Sequence, residues 1–160
     1  MTRQYNRRST LFAVVSSMGH SVVIDTVVFV RSLLNPHSAP GRVIFAHADE
    51  YRLILSAPIV REILEVLQRP EITSKIQFVA GMDTRRVLDL LSQAEIVELS
   101  SIPQVSRDPK DDKFLATAVA GEADYVISED RDLLDLGEYQ GIKIVDVATF
   151  LKILNEDKAQ

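Results

Sequence analysis

Short apolar runs alternate along this chain with longer segments in which apolar residues recur at helical spacing. The first run, 22–24, is uniformly apolar and β-branched, which is typical of a strand buried on both faces. The segment after it predicts a helix over 27–34 that ends at Asn35-Pro36. Because strand and helix alternate in this way, we expect a parallel sheet covered by helices on both faces.

The same pattern predicts four more strands and the helices between them. We expect the strands at 52–56, 95–99, 125–127 and 142–145. We expect the helices at 42–50, 57–68 with Ser56 as cap, 83–91, from Asp111 or Asp112 to 120, 130–136 and 147–154, whereas 72–82 is ambiguous. The fold class is therefore α/β, in three layers, with a central, mainly parallel five-stranded sheet.

The bulk composition narrows the class of protein. A chain of 160 residues suits one domain with a full core. The lack of cysteine excludes disulfides, thiolate zinc sites and cysteine nucleophiles, and it fits a cytoplasmic protein. A formal charge of −5 is not typical of a general nucleic-acid-binding protein, because such proteins carry an excess of basic residues. Since the apolar runs are far shorter than a membrane span, we expect no membrane association.

We expect the domain to occupy residues 21–155, between an N-terminal extension of residues 1–20 and a tail of residues 156–160. Residues 7–18 are basic and then apolar, like a signal peptide, but the apolar part is short. We therefore do not expect export. Met18 is a candidate initiator, because a complete domain begins directly after it.

Acidic residues at four separated places are predicted to converge. Asp25 ends the first strand, and Asp130 and Asp132 follow the fourth, so all three belong to the same edge of a parallel sheet. Glu62 and Asp112 lie near the starts of two helices. Clustered carboxylates repel one another, by about 4 kcal/mol per pair at about 4 Å and an effective dielectric near 20. A divalent cation such as Mg²⁺, which prefers oxygen ligands, would compensate them.

Each acid also has a simpler explanation when it is taken alone. Aspartate is favoured as a helix N-cap, which would account for Asp25 and Asp130. Asp112 would compensate a helix dipole. Glu62 would be a solvated helix residue, and Glu65, three positions on, could share its face. The joint arrangement of the acids, rather than any one of them, favours a metal site.

Four stretches in order carry a family resemblance: VVIDT at 22–26, REILEVLQRP at 61–70, RDPKDDKFLA at 107–116 and ADYVISEDRDLL at 123–134. Together they resemble the PIN-domain family, in particular its VapC-like toxins of toxin–antitoxin pairs. The resemblance extends from about Val22 to Leu151.

This resemblance implies a Rossmann-like α/β/α fold and a metal-dependent endoribonuclease that uses Mg²⁺ or Mn²⁺ to activate water. The catalytic acids of the family fall on Asp25, Glu62, Asp112 and Asp130. The implied metal ligands are these four and Asp132, with Thr26 and Ser128 in support. The implied partners are an RNA substrate, a second copy of the chain in a homodimer, and a cognate antitoxin that reaches the acidic pocket with a basic side chain.

The chain departs from the family at Val27, where an asparagine is usual. Valine can neither donate nor accept a hydrogen bond. A second departure is Arg31, where a small polar residue is usual. An alternative function is therefore a catalytically weakened PIN-fold interaction module. RNA would still need cationic contacts, and the candidates are Arg31, Arg42, Arg61, Arg85, Arg86, Lys110 and Lys113.

Two other classes of protein fit the sequence less well. Phosphatases of the haloacid dehalogenase type also begin with an aspartate at a strand end, but their catalytic acid follows two residues later, where this chain has Val27. A dinucleotide-binding domain would need G-x-G-x-x-G after the first strand, and the chain has none there.

Overall fold

A computed structural model of the chain describes residues 19–78 and 84–159, and the side chains of these except 76–78 and 84–88. The strands are β1 (His20–Ile24), β2 (Tyr51–Ser56), β3 (Glu95–Val97), β4 (Tyr125–Ile127), β5 (Glu138–Tyr139) and β6 (Ile142–Val145). The helices are α1 (Thr26–Leu34), α2 (Ala57–Leu67), α3 (Pro70–Phe78), α4 (Thr84–Gln93), α5 (Asp112–Ala120), α6 (Arg131–Leu136) and α7 (Val147–Lys158). Shorter helical turns are Ala39–Gly41, Arg42–Ala46, Ala48–Glu50 and Pro109–Asp111.

The strands form one sheet in the order β3-β2-β1-β4-β6-β5, and all the pairs are parallel except β5 with β6. The chain therefore builds outward from β1 through β2 to β3 and then crosses back to β4 on the other side of β1. Because parallel crossovers are right-handed, the two directions place helices on opposite faces of the sheet. The carboxyl ends of β1 and β4 flank the point where the strand order reverses, which is where such sheets form their binding crevice.

The burial of β1 confirms that both faces of the sheet are covered. Residues 21–24 are all buried in succession, although neighbouring side chains point to opposite faces. Helix α5 packs against β1, β2 and β4. Its small residues allow a close approach: a Cβ atom at Gly121, just after the helix, would lie 2.6 Å from Ile54 Cγ2 on β2.

The α/β class and the mainly parallel sheet are confirmed, with one difference in the strand count. We expected five strands, and the described residues form six. The additional strand, β5, has two residues and pairs antiparallel with β6 around Gln140 and Gly141, both of which have positive φ. A strand of two residues carries no hydrophobic period for sequence reasoning to detect.

The helices lie where the sequence predicts them, but several differ from the prediction in length or in helix type. The helix expected over 42–50 is divided into a π-helical turn and a 3₁₀ turn. The ambiguous segment 72–82 is helical as far as Phe78, and 79–83 lie outside the described residues. Ser56 stands at the N-cap of α2, but its hydroxyl bonds Thr117 rather than the helix backbone.

Candidate metal centre

Asp25 joins the ends of the two central strands. It is 4% exposed, and its Oδ1 accepts a 2.8 Å hydrogen bond from the Val27 amide at the start of α1. Its Oδ2 accepts a 2.7 Å bond from the Ser128 hydroxyl, which in turn accepts the Asp130 amide at 3.0 Å. The pKa of Asp25 is raised, mainly by burial, and the negative charges of Asp130 and Glu62 add to the increase. The three acids are therefore close enough to interact.

Asp130 and Asp132 lie at the start of α6, as the strand-end position predicts. Asp130 is the N-cap, and its Oδ1 accepts a 2.7 Å bond from the Asp132 amide. Asp132 is half-buried and pairs through Oδ1 with Nε of Arg107 at 3.0 Å. Arg107 also bonds Asp135, at 2.6 Å. Sequence reasoning did not single out Arg107, which brings a cation to the rim of the acidic cluster.

Asp111 is the member of the cluster that sequence reasoning missed. Its side chain is 8% exposed, and its Oδ2 has no hydrogen-bond partner within residues 19–78 and 84–159. The pKa of Asp111 is raised to about 7, first by burial and then by the charges of Asp130, Asp25 and Asp108, in that order. Asp111 therefore lies among the other acids with one oxygen unused. A buried polar atom without a partner needs an explanation, and a bound cation is one of the few available.

A further group of acids meets at Asp111. One carboxylate oxygen each from Asp108, Asp111 and Asp132 lies within 4.8 Å of the other two. Oxygen ligands stand about 2.1 Å from a Mg²⁺ ion, so oxygens on opposite sides of the ion are about 4.2 Å apart and neighbouring ones about 3 Å apart. The three oxygens can therefore share one ion once their side chains draw closer, by up to about 2 Å. The chemistry of the donor set, all carboxylate oxygen, fits a hard cation.

Asp112, which the sequence indicated, has a different set of contacts. It is buried, and its Oδ1 accepts hydrogen bonds from the amides of Val105 at 3.2 Å and Ser106 at 2.6 Å. These bonds anchor the loop that leads into α5. The role of Asp112 as a metal ligand stays a prediction, because the described contacts neither supply nor exclude it.

Helical periodicity does not separate Asp111 from Asp112. The positions three and four residues after Asp111 are Phe114 and Leu115, and both are buried. The corresponding positions after Asp112 are Leu115 and Ala116, which are buried as well. Both aspartates therefore fit the start of the inward face of α5, and no sequence signal indicated Asp111 alone.

Glu62 reaches the site from α2. Its charge contributes to the raised pKa of Asp25, and it forms an ion pair with Lys113. Glu65, the alternative on the same helix, is exposed. The structure therefore brings Glu62, rather than Glu65, next to the other acids.

Thr26 and Ser128 occupy supporting positions. Ser128 is completely buried and links Asp25 to Asp130, as described above. Thr26 is buried, and its Oγ1 has no hydrogen-bond partner among the described residues. The Val27 side chain, by contrast, is 53% exposed. The position at which the family usually has asparagine is therefore open to solvent beside Asp25.

The basic residues expected to meet RNA are dispersed. Arg31, Arg42 and Arg61 are exposed, while the side chains of Arg85 and Arg86 lie outside the described ones. Lys110 is exposed, and Lys113 is largely buried against Glu62. Of the candidates, the two lysines are therefore the ones placed on the segment that carries Asp111.

The fold and the site together define an α/β protein with a carboxylate pocket at the point where the strand order of its parallel sheet reverses. A family model described as "PIN domain" matches residues 21–132. The chain therefore belongs to the PIN-domain family, which confirms the resemblance read from the four sequence stretches. PIN domains are generally nucleases and typically use a divalent metal.

Two individual proteins are similar to the chain. The "Uncharacterized protein MJ1680" of Methanocaldococcus jannaschii is 30% identical over 119 residues, which are 72% of this chain and 74% of that protein. A chain of the "Crystal structure of VapBC2 from Rickettsia felis bound to a DNA fragment from their promoter" superposes with a TM-score of 0.50. That match covers 79% of this chain and 98% of the other at 11% identity, so it supports the fold alone.

None of the helices in the described part of the chain combines the length and apolar character needed to cross a membrane.

Proposed function

We propose that this protein is a Mg²⁺- or Mn²⁺-dependent endoribonuclease that hydrolyses RNA phosphodiesters. One observation carries the proposal: Asp111 is buried among other acids with an oxygen that lacks a partner. An ionised carboxylate in such a place is unfavourable unless a cation compensates it. We assign phosphodiester hydrolysis as the reaction because the chain belongs to a family whose members are generally nucleases.

The proposed ligand set combines the sequence motif with the geometry. Asp25, Asp111 and Asp130 form its proposed centre, because Asp130 and Asp25 are the two charges that raise the pKa of Asp111 most. Asp108 and Asp132 extend the set at Asp111. The sequence motif predicts Glu62 and Asp112 as ligands as well. Because Glu62 pairs with Lys113 and Asp112 accepts the amides of Val105 and Ser106, we assign both an orienting role.

The residues of the chain have distinct tasks in the proposed mechanism. When bound, the divalent ion lowers the pKa of a water ligand and neutralises charge on the phosphate. The hydrogen bonds from Val27 and Ser128 fix the Asp25 carboxylate, so little reorganisation is needed. The Thr26 hydroxyl, buried beside it, is available to orient water. Because burial and neighbouring charges raise the pKa of Asp111 to about 7 in the metal-free protein, Asp111 must release a proton to become a ligand.

The biological setting we propose is that of a type II toxin–antitoxin pair in the cytoplasm. The fold match is to a chain of the VapBC2 assembly of Rickettsia felis, whose structure was determined with promoter DNA. By analogy, a cognate antitoxin would silence this protein with a basic side chain placed in the acidic pocket. A homodimer of the chain would present two such pockets. The exposed Arg107 at the rim would meet RNA phosphates.

Cleavage of RNA by the purified protein tests the proposal. We expect a fluorophore-labelled single-stranded RNA to be cut with 5 to 10 mM Mg²⁺ or about 1 mM Mn²⁺ and to stay intact in EDTA, the concentrations being order-of-magnitude choices for weakly held ions. An RNA that stays intact in Mn²⁺, over a range of sequences and at enzyme excess, would overturn the nuclease assignment.

A second candidate is the weakened interaction module, and Val27 is the observation in its favour. We expect Val27→Asn to raise the cleavage rate, roughly 3- to 10-fold, because an amide next to Asp25 would orient water or substrate. The melting temperature should hardly change, since Val27 is exposed.

Val119→Asn is the matched control, because it replaces another exposed valine near the far end of α5. Cleavage seen only in Val27→Asn would favour the weakened module as the natural state. Equal rates for the parent, Val27→Asn and Val119→Asn would show that Val27 does not limit activity.

A further inference from the structure

Lys113 is a largely buried cation inside the acidic site. Its side chain is 14% exposed, and its ammonium group pairs with Oε2 of Glu62. The same group donates to the Lys110 carbonyl and lies 4.8 Å from the ring centroid of Phe114. A buried lysine requires partners of this kind, because loss of solvation is costly for an ammonium group. Its position is therefore defined by the fold.

A buried hydroxyl relay holds the two helices that carry this pair. Thr117 Oγ1 donates to the Lys113 carbonyl at 2.7 Å, so the 2.7 Å bond between Thr117 and Ser56 must be donated by Ser56. Ser56 ends β2 and directly precedes α2, which carries Glu62. The relay thus joins the middle of α5 to the residue that directly precedes α2. Lys113 and Glu62 lie on these two helices and form their ion pair between them.

We propose that Lys113 is a positioning residue that holds Glu62 out of direct metal coordination and sets the affinity of the pocket for a divalent cation. This inference rests on the proposed function, because it concerns the same metal site. One Glu62 oxygen is occupied by the ammonium group, and the paired charges cancel near Asp25 and Asp111. The pocket then offers aspartates to the ion and keeps the glutamate as an outer neighbour.

Removal of the Lys113 ammonium group should increase the affinity of the pocket for a divalent ion in two ways. A divalent ion close to a lysine is repelled by it, and a released glutamate is free to become a ligand. We expect Lys113→Met to bind Mn²⁺ about tenfold more tightly than the parent. A lysine that only packed against Phe114 would instead give equal or weaker binding when it is removed.

The experiment is a double-mutant cycle followed by titration calorimetry of the metal-free protein with Mn²⁺. The variants are Lys113→Met, Glu62→Gln and the double variant. Lys110→Met is the matched control, because it makes the same change of residue and of net charge at an exposed position three residues earlier. Lys113→Gln serves as a second probe of position 113, and circular dichroism checks that each variant is folded.

The proposal expects tight binding in Lys113→Met, a return to parental affinity in the double variant, and weaker binding in Glu62→Gln, where the lysine is left unpaired. Lys110→Met should stay within about twofold of the parent. If the parent binds Mn²⁺ and both Lys113 variants match Lys110→Met, this inference is overturned while the proposed function survives. If the parent binds no Mn²⁺, the metal site itself is overturned, and the role given to Lys113 with it.

Discussion

Asp111→Asn is expected to abolish RNA cleavage, by about 100-fold or more, and at the same time to make the metal-free protein more stable. The loss of activity follows because the neutral amide cannot replace a carboxylate that compensates a divalent ion. The gain in stability follows because the parent carries a buried carboxylate with an unpartnered oxygen among other acids. Cleavage assays and thermal unfolding in EDTA measure the two effects.

The stabilising effect has a definite pH dependence. The pKa of Asp111 is raised from 3.8 to about 7 in the folded protein, so the folded state binds this proton more tightly than the unfolded state. The cost of ionising the group therefore develops as the pH rises from about 4 to 7 and is complete above pH 7. It amounts to roughly 2 to 4 kcal/mol. The variant should melt on the order of 5 to 10 °C higher at pH 8 and no higher than the parent near pH 4.

Asp112→Ala is the neighbouring control for Asp111→Asn. This substitution removes the acceptor of the Val105 and Ser106 amides and should lower stability by about 1 to 3 kcal/mol. Substitution of the two adjacent aspartates is thus expected to change the melting temperature in opposite directions, upward at Asp111 and downward at Asp112. A lower melting temperature in Asp111→Asn, or its full retention of cleavage, would contradict the place given to Asp111 in the pocket.

Asp25→Asn should have the second large effect, a loss of cleavage of about 100-fold or more with the fold intact. Asparagine can still accept the Val27 amide hydrogen bond that begins α1, so the helix cap survives. The substitution does remove the negative charge that Asp25 contributes to the pocket. We expect Mn²⁺ binding to weaken strongly in calorimetry, while circular dichroism and the EDTA melting temperature show a folded protein.

Asp157→Asn gives a matched control for Asp25→Asn. Asp157 is an exposed aspartate on α7 that pairs with His20 at the opposite end of β1. Its replacement should leave the cleavage rate within about twofold of the parent. If Asp25→Asn kept more than a tenth of parental cleavage, the proposed chemistry would have to be assigned elsewhere in the chain.

The fold was accessible from sequence where burial leaves a simple pattern. The uniformly apolar run of β1 indicates a strand covered on both faces, and this indication alone places Asp25 at the functional edge. The aspartate caps of α1 and α6 were likewise predictable, because aspartate is favoured there and follows a strand in both cases. A strand as short as β5 has no such pattern.

The motif indicated where in the fold the candidate site lies, but it did not decide between neighbouring residues. Asp111 and Asp112 are adjacent, so spacing along the chain cannot decide which of them faces Asp25 and Asp130. The answer depends on the 3₁₀ turn that precedes α5, since this turn rotates one carboxylate inward and the other towards the Val105 amide. The pairing of Lys113 with Glu62 also lay beyond sequence reasoning, because it joins residues far apart in the chain.

Anomalous diffraction from crystals soaked in Mn²⁺ tests the central claim most directly. We predict an anomalous difference peak at the carboxyl ends of β1 and β4, with carboxylate oxygens of Asp25, Asp111 and Asp130 in its coordination shell. We also predict that Glu62 stays paired with Lys113. Fully soaked crystals with no peak in this pocket, or with manganese bound only elsewhere on the surface, would contradict the account.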